Sequence, residues 1–350
     1  MFQESLIKNE LQELAYANEF LLKSFRGNSF LISGAGGLIG AYLILLLVEA
    51  NELFDLRVRI AAIDRNIDLL KRFLKYNDCV SCYNVDVCSE GLPEEKFDYV
   101  IHAASNTSPV DYAQKPIDTI WTNICGAKNL MDLSVRFKAE RFLFCSSVEA
   151  YGRNNGDIDK FTESYSGYVD CNTVRAGYPT SKRCVEALCN AYASEYADFD
   201  FVIARIGRFY GPTVIEGDTK APSQFIDNAV RGEDIVLKSD GTQLYSWGYV
   251  ADCATAMLTL LKKGAKGEVY NVADPESCSM LKEFAQYVAS AAGVKLSFIQ
   301  LSDVEKEAYS KITKATMDTS KLEALGWKAK YHLENGITRT INYMQRNKDF

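Results

Sequence analysis

The residues best suited to chemistry in this sequence are a serine and a glutamate at the end of an apolar run, and a tyrosine–lysine pair further along. The run over residues 141–147 (RFLFCSS) ends at Ser147, and Glu149 follows two residues later. Tyr178 and Lys182 stand four residues apart in a segment of helical periodicity, so they lie on one face of a helix. A phenol titrates at about pH 10 in water, but a neighbouring ammonium favours the phenolate. The pair therefore predicts a tyrosine that acts as a base near neutral pH.

A glycine-rich turn near the start of the chain is suited to binding a diphosphate. Gly34, Gly37 and Gly40 lie between an apolar strand predicted over 28–33 and an apolar helix predicted over 38–50. Glycine allows the tight turn, the close approach of backbone to phosphate and the close helix–strand packing of a dinucleotide site. The helix N-terminus adds free N–H groups. A purely structural turn is the alternative interpretation.

The end of the next apolar strand bears on which dinucleotide would bind. Residues 57–63 (RVRIAAI) are predicted to form this strand, and Asp64 follows it. An acidic residue at this position binds the ribose hydroxyls and repels a 2′-phosphate, which favours NAD. Arg65 comes next, and an arginine can hold that phosphate, so NADP is the alternative.

Strands and helices alternate through the first half of the chain. Further strands are predicted over 82–87, 98–104 and 141–147, with helical stretches between them. This alternation predicts an α/β fold with a doubly wound parallel sheet of the Rossmann type. Ligands bind at the carboxyl ends of such strands. Ser147 and Glu149 are therefore expected at the edge of a ligand site.

Composition argues against several other classes of function. The chain has 350 residues, with 39 Lys and Arg against 46 Asp and Glu. No nucleic-acid partner is expected, because phosphate backbones attract basic surfaces. The cysteines lie largely in apolar segments and the N-terminus is charged and amphipathic, which predicts a cytoplasmic protein. The histidines are His102 and His332 alone, so no metal site is expected. The uncharged run over 30–48 contains four glycines, which favours strand, turn and helix over a membrane span.

Together these motifs resemble those of extended short-chain dehydrogenases/reductases, of the type that epimerise, dehydrate or decarboxylate nucleotide sugars. The resemblance covers roughly residues 27–275. It includes Asn123, at the position of a buried helix asparagine. The resemblance implies a set of cofactor-binding residues: the three glycines, Leu38, Ile39, Asp64, Arg65, Asp86, Val87, Ala103, Ala104, Ser105, Tyr178 and Lys182.

The resemblance also implies the chemistry. Tyr178 would take a proton from a sugar hydroxyl, normally at C4, while a hydride passes to NAD. Lys182 would hold the nicotinamide ribose, and Ser147 would hydrogen-bond the reacting oxygen. The resulting 4-ketone is the branch point of the family, and the NAD is usually regenerated in the same cycle.

Glu149 bears on which reaction the 4-ketone undergoes. In 4,6-dehydratases of this family a glutamate at this position removes the C5 proton, and an acid or hydroxyl residue before it helps water to leave. Here that neighbour is Val148. UDP-glucuronate decarboxylases carry the glutamate and add an arginine three residues before the tyrosine, which Arg175 matches. Decarboxylation of a nucleotide-linked uronic acid is the leading prediction, followed by 4-epimerisation and then dehydration.

Two departures from the family pattern concern the substrate. Arg208 stands where the family usually has asparagine, and Tyr245 stands where it usually has arginine. We expect Arg208 to bind a phosphate or carboxylate and Tyr245 to stack on the base or the sugar. A net reductase that uses NADPH and a non-catalytic NAD sensor are the competing classes.

The predicted organisation has three parts. Residues 1–26 form an N-terminal helical extension, residues 27–205 with about 234–272 form the NAD-binding domain, and 206–233 with 273–350 form a smaller substrate lobe. Family members commonly dimerise through helices near the tyrosine–lysine segment, so a homodimer is expected.

Overall fold

The computed structural model of the chain describes residues 4–74, 77–107, 114–299 and 313–346. Within these ranges the strands are β1 Ser29–Ser33, β2 Arg59–Asp64, β3 Val80–Asn84, β4 Tyr99–His102, β5 Arg141–Ser147, β6 Phe201–Ile206, β7 Arg208–Tyr210, β8 Ile235–Leu237, β9 Leu244–Tyr249, β10 Val269–Val272, β11 Cys278–Met280, β12 Leu296–Phe298 and β13 Lys314–Ala315. The α-helices are α1 Glu4–Ala17, α2 Glu19–Lys23, α3 Leu38–Phe54, α4 Asp68–Lys71, α5 Pro116–Arg136, α6 Gly177–Glu195, α7 Ala221–Arg231, α8 Val250–Lys263, α9 Leu281–Ala292, α10 Ser320–Glu323 and α11 Leu333–Arg346.

Seven parallel strands form the central sheet, in the order β3–β2–β1–β4–β5–β6–β10. Phe30 and Ile32 of β1 pack into the core that contains α3 and α8, while Leu31 packs into the core that contains α5 and α6. Both faces are therefore covered, as a parallel sheet requires. The strand order reverses between β1 and β4, and ligands bind in the crevice at such a point. The predicted doubly wound α/β fold is confirmed.

The strand that follows β2 lies closer to the N-terminus than the sequence predicted. β3 ends at Asn84, whereas the sequence predicted a strand over 82–87. The Asp86 carboxylate accepts a hydrogen bond of 2.8 Å from the backbone N–H of Cys88, and such a local bond competes with sheet pairing. Asp86 and Val87 thus lie in the loop after β3, at the carboxyl edge of the sheet.

The uncharged run over 30–48 is divided between β1, the glycine turn and the first part of α3. Residues 40–50 of α3 are all buried, so this helix is apolar because it lies inside the protein. Among the helices that the structure describes, none combines the length and apolar character needed to cross a membrane.

A second layer of short strands forms the smaller lobe. β9 pairs with β7, β11 and β13, and β8 pairs with β12. The lobe sheet therefore includes residues 244–249, which the sequence analysis placed in the NAD-binding domain from about 234. The chain returns to the central domain at Val250, because α8 packs under the central sheet and β10 pairs with β6. Short strands of this kind carry no signal of which sheet they join.

The N-terminal extension packs against the rest of the protein as two helices, α1 and α2, instead of one. Glu10 of α1 is buried, and its carboxylate accepts hydrogen bonds from the hydroxyls of Tyr42 at 2.6 Å and Tyr249 at 2.8 Å. The guanidinium of Arg339 in α11 donates to the same carboxylate at 3.2 Å. The extension thereby joins α3, the lobe and the C-terminal helix.

Candidate active site

The glycine turn between β1 and α3 forms a cradle whose walls are backbone. Gly34 has φ +71°, and a Cβ there would lie 2.7 Å from the backbone of Ala103 and Ala104. A Cβ on Gly40 would lie 2.2 Å from the Gly34 carbonyl oxygen. Gly37 caps the N-terminus of α3, and its nearest protein neighbour to a Cβ would be 3.3 Å away. Gly34 and Gly40 are therefore required by the packing of the protein itself. Gly37 has space beside it, at a helix N-terminus that is suited to binding a diphosphate.

Leu38 and Ile39, which the resemblance assigns to the cofactor, form the first turn of α3. The Leu38 carbonyl oxygen accepts a 2.6 Å hydrogen bond from the hydroxyl of Thr213. The start of the helix is therefore tied to the chain that follows β7. The cradle and the smaller lobe are held together at this point.

The acidic residue at the end of β2 is positioned beside the glycine turn. Asp64 accepts hydrogen bonds from the backbone N–H of Gly36 at 3.0 Å and of Asn66 at 2.9 Å. Arg65 donates to the Asn106 side chain at 2.8 Å and lies 3.9 Å from the Asp86 carboxylate. Arg65 is thus engaged by neutral and acidic partners at the place where a 2′-phosphate would bind, and the carboxylate of Asp64 fits ribose hydroxyls. The residues present fit NAD.

The loop that follows β3 packs closely against α5 at the edge of the crevice. Val87 is buried, and a Cβ on Gly126 of α5 would lie 2.6 Å from its side chain. Gly126 therefore lets α5 approach the loop that carries Asp86 and Val87. The sequence analysis did not single out Gly126, because a lone glycine inside a helical pattern gives no indication of its packing partner.

Small residues follow β4, as the sequence predicted. Ala103, Ala104 and Ser105 continue from His102, whose ring lies 2.8 Å from the Ser33 hydroxyl and stacks on Phe144. Complete burial lowers the pKa of His102 to about 3. The imidazole is therefore neutral and forms part of the floor of the crevice.

Tyr178 and Lys182 lie on one face of α6, as the periodicity predicted. The Lys182 ammonium lies 5.6 Å from the centre of the Tyr178 ring and donates to the Cys145 carbonyl oxygen at 2.8 Å. Burial lowers the pKa of Lys182 to about 8. Asn123 is fully buried, as predicted, and donates to the Ser181 hydroxyl at 2.9 Å, which anchors the start of α6 against α5.

The two serines that end β5 have different environments. The Ser147 hydroxyl accepts a hydrogen bond of 3.2 Å from the backbone N–H of Glu149 and caps a short turn over 148–151. Ser146 points to the other face, as the period of a strand requires, and donates to Glu186 at 2.6 Å. Glu186 also forms a two-pronged ion pair with Arg205, at 3.0 and 2.6 Å. Sequence reasoning missed this buried pair, since its members are nineteen residues apart.

Glu149 faces two arginines from different elements. Its carboxylate lies 3.9 Å from Arg175, in the turn before α6, and 4.0 Å from Arg208 on β7. The Arg208 guanidinium lies 4.0 Å from the centre of the Tyr245 ring. Residues that the sequence analysis proposed separately are therefore brought together beside Ser147.

The surroundings of Tyr245 bear on the expectation that its ring stacks on the base or the sugar of the substrate, which stays a prediction. The side chain is buried, Arg208 covers one of its faces, and Trp247 meets it edge-on at 5.6 Å. Tyr245 therefore supports an arginine.

Comparison with known proteins agrees with this geometry. The model of the NAD dependent epimerase/dehydratase family matches residues 30–273. UDP-glucuronic acid decarboxylase 5 of Arabidopsis thaliana is 32% identical over 310 residues, which cover 88% of this chain and 86% of the relative. UDP-glucuronic acid decarboxylase 1 of Xenopus tropicalis is 28% identical over 320 residues, which cover 90% of this chain and 72% of the relative.

Solved structures share the fold. The UDP-glucose 4-epimerase of Thermotoga maritima superimposes with a TM-score of 0.78 at 21% identity, covering 91% of this chain and 99% of that one. The UDP-glucuronic acid 4-epimerase of Bacillus cereus gives a TM-score of 0.77 at 20% identity, covering 91% and 99%. The family model spans well over half of the sequence and includes the cradle, Ser147, Tyr178 and Lys182. The chain therefore belongs to the NAD dependent epimerase/dehydratase family, and its cofactor is NAD.

Proposed function

We propose that the protein decarboxylates a nucleotide-linked uronic acid through a transient 4-keto sugar. The observation that carries the proposal is the position of Arg175, 3.9 Å from Glu149, at the start of the helix that bears Tyr178 and Lys182. An arginine there supplies a planar, two-pronged partner for a sugar carboxylate. The relatives named UDP-glucuronic acid decarboxylase support the same reaction.

The residues of the site have separate roles in this proposal. When bound, NAD supplies the hydride acceptor for C4 of the sugar and later returns the hydride. Tyr178 takes the proton of the C4 hydroxyl, and the charge on Lys182 favours the phenolate that does so. Ser147 donates a hydrogen bond to the C4 oxygen.

The ketone then activates the neighbouring carboxylate. The C5–C6 bond breaks, its electron pair moves into an enolate on the C4 oxygen, and carbon dioxide leaves. The hydroxyls of Tyr178 and Ser147 stabilise the enolate oxygen by hydrogen bonding. A solvent proton, relayed through Glu149 two residues after Ser147, replaces the lost carboxylate at C5. Arg175 holds the carboxylate before it is lost.

One observation weighs against dehydration. Val148, which precedes Glu149, is an apolar side chain and 5% exposed, so it has no proton to give to a departing hydroxyl. A 4,6-dehydratase needs that proton. The second candidate is 4-epimerisation, which needs only the ketone and a sugar that can turn over, and the Bacillus cereus neighbour carries UDP-glucuronic acid in its structure.

We also propose that the protein is a cytoplasmic homodimer. The outer face of α5 exposes Ile117 and Trp121, which are 78% and 60% accessible. The neighbouring face of α6 exposes small side chains that would allow close helix approach: Thr180, Cys184, Ala187 and Ala191. Two such helix pairs would bury this face against each other.

The proposed reaction is tested by incubating the protein with NAD and UDP-glucuronate in D₂O and weighing the product. Decarboxylation gives a pentose product with one deuterium at C5. A product of unchanged carbon content without deuterium would establish epimerisation instead, and loss of water from UDP-glucose, which has the C6 hydroxyl that a uronic acid lacks, would establish dehydration. Tyr178→Phe serves as the inactive control. No change in any uronic acid donor would refute the proposed function.

A further inference from the structure

Two guanidinium groups in the site have donors without acceptors. Neither Arg175 nor Arg208 donates a side-chain hydrogen bond to another described residue, and their contacts with Glu149 are 3.9 and 4.0 Å. The Nε of Arg208 is buried and has no partner. Buried donors are nearly always satisfied, so an orphaned one indicates a missing acceptor. A ligand oxygen would supply the acceptor that the buried Nε–H of Arg208 lacks among the described residues.

The direction of Arg208 is set by Tyr245. The guanidinium lies on the face of the tyrosine ring, 4.0 Å from its centre, and the ring is fixed from the side by Trp247. Strands β7 and β9 pair with Arg208 opposite Trp247, which places the arginine beside the tyrosine two positions back along the sheet. Stacking of this kind holds a planar cation without using its hydrogen-bond donors.

The location of this cation favours the sugar carboxylate over the diphosphate. Ser147, which holds the C4 oxygen in the proposed reaction, accepts the backbone N–H of Glu149, so Glu149 lies near the C4 end of the sugar. In a pyranose, C6 is attached to C5, the neighbour of C4, whereas the diphosphate is attached to C1 across the ring. Groups within 4.0 Å of the Glu149 carboxylate are thus on the C5 and C6 side.

The local charge fits the same ligand. Arg175 and Arg208 together carry two positive charges and Glu149 carries one negative charge, which leaves a surplus of one positive charge between three partly buried side chains. A sugar carboxylate would neutralise it, whereas a neutral hexose would leave it uncompensated. An uncompensated charge in a partly buried site is unfavourable.

We propose that Arg208, positioned by Tyr245, acts with Arg175 as a two-armed clamp for the C6 carboxylate and selects uronic acid over neutral hexose donors. This inference rests on the proposed function, since it assumes a uronic acid substrate. Arg208 and Arg175 bind the ligand, and Tyr245 is a positioning residue. The family usually has an arginine at position 245. In this protein Arg208, on β7, supplies the positive charge instead.

The test measures binding without turnover. Protein loaded with NADH, which cannot accept a hydride, is titrated by calorimetry with UDP-glucuronate, UDP-glucose and UDP. Arg208→Gln should weaken the binding of UDP-glucuronate about tenfold or more, because one charge-assisted hydrogen bond is lost. The affinities for UDP-glucose and UDP should stay within about twofold of those of the wild type. Arg231→Gln, on exposed α7 of the same lobe, is the matched control and should change none of the three.

The possible outcomes distinguish a failure of the clamp proposal from a failure of the proposed function. An equal loss of affinity for all three ligands would mean that Arg208 binds the diphosphate. That result would overturn the clamp proposal but leave the proposed function intact. Wild-type protein that binds UDP-glucuronate no tighter than UDP-glucose would overturn the proposed function as well. Tyr245→Phe keeps the ring and should retain the preference, while Tyr245→Leu should reduce it. Retention of the preference in Tyr245→Leu would remove the positioning role.

Discussion

The glycine cradle allows the demands of folding to be separated from those of cofactor binding. A methyl group on Gly40 would lie 2.2 Å from the Gly34 carbonyl oxygen and 2.9 Å from its carbon. Both are backbone atoms at the end of β1, so α3 would have to move away from the sheet. A methyl group on Gly37 would meet only the Gly34 oxygen, at 3.3 Å. Gly37 has φ -78° and ψ 168°, which alanine adopts without strain.

The two substitutions should therefore differ in kind. Gly40→Ala overpacks a buried backbone contact and should cost about 1–3 kcal/mol of stability, which lowers the melting temperature by about 2–4 °C per kcal/mol. Gly37→Ala should cost less than about 1 kcal/mol, as a glycine-to-alanine change at a helix cap does. Gly37→Ala should nevertheless weaken the binding of NAD about 10- to 150-fold. The added methyl group displaces the diphosphate from one charge-assisted hydrogen bond, which contributes about 1.5–3 kcal/mol.

The assay pairs thermal unfolding without nucleotide with calorimetric titration of NAD, on wild type and both variants. Gly37→Ala should melt close to wild type and bind NAD poorly, and Gly40→Ala should melt several degrees lower before any NAD is added. The reasoning fails if Gly37→Ala binds NAD as wild type does. It also fails if Gly40→Ala is as stable as wild type.

Three further predictions follow from other parts of the molecule. Glu186→Ala leaves the largely buried Arg205 without its two-pronged partner and should destabilise the protein by about 3–5 kcal/mol, read from the melting temperature; a loss of stability below about 1 kcal/mol would contradict this prediction. Trp121→Arg should convert the proposed dimer to a monomer in light scattering, and an unchanged mass would exclude this face as the interface. Burial raises the pKa of Asp252 to about 7, and the hydrogen bond that His332 donates to the Asp274 carboxylate raises the pKa of His332, so both groups bind protons more tightly in the folded state. Their contribution to stability is lost as pH rises through these values, and the melting temperature should fall from pH 6 to pH 8 less steeply in Asp252→Asn.

Local sequence patterns were sufficient for the central sheet and the cofactor cradle. The buried runs of β1, β2 and β5, the glycine spacing and the tyrosine–lysine pair each depend on residues close together in the chain. The lobe was harder to predict, because its strands have two to six residues and their pairing depends on distant partners. The boundary at about 234 stays a prediction for that reason.

The contacts between distant residues could not be read from the sequence. Arg208 and Tyr245 were both noticed as departures from a pattern, but their stacking depends on the pairing of β7 with β9. The buried Glu10 gives another example. Its amphipathic helix was predictable, whereas the convergence of Tyr42, Tyr249 and Arg339 on one carboxylate requires the tertiary structure.

The central claim is that a uronic acid loses its carboxylate after oxidation at C4, with Tyr178 as the base. The most direct measurement follows release of labelled carbon dioxide from UDP-glucuronate carrying ¹³C at C6, with and without NAD. The account predicts labelled carbon dioxide and a nucleotide-linked pentose in equal amounts, dependent on NAD and abolished in Tyr178→Phe. Full retention of the label in a nucleotide sugar, with wild-type protein and NAD present, would contradict it.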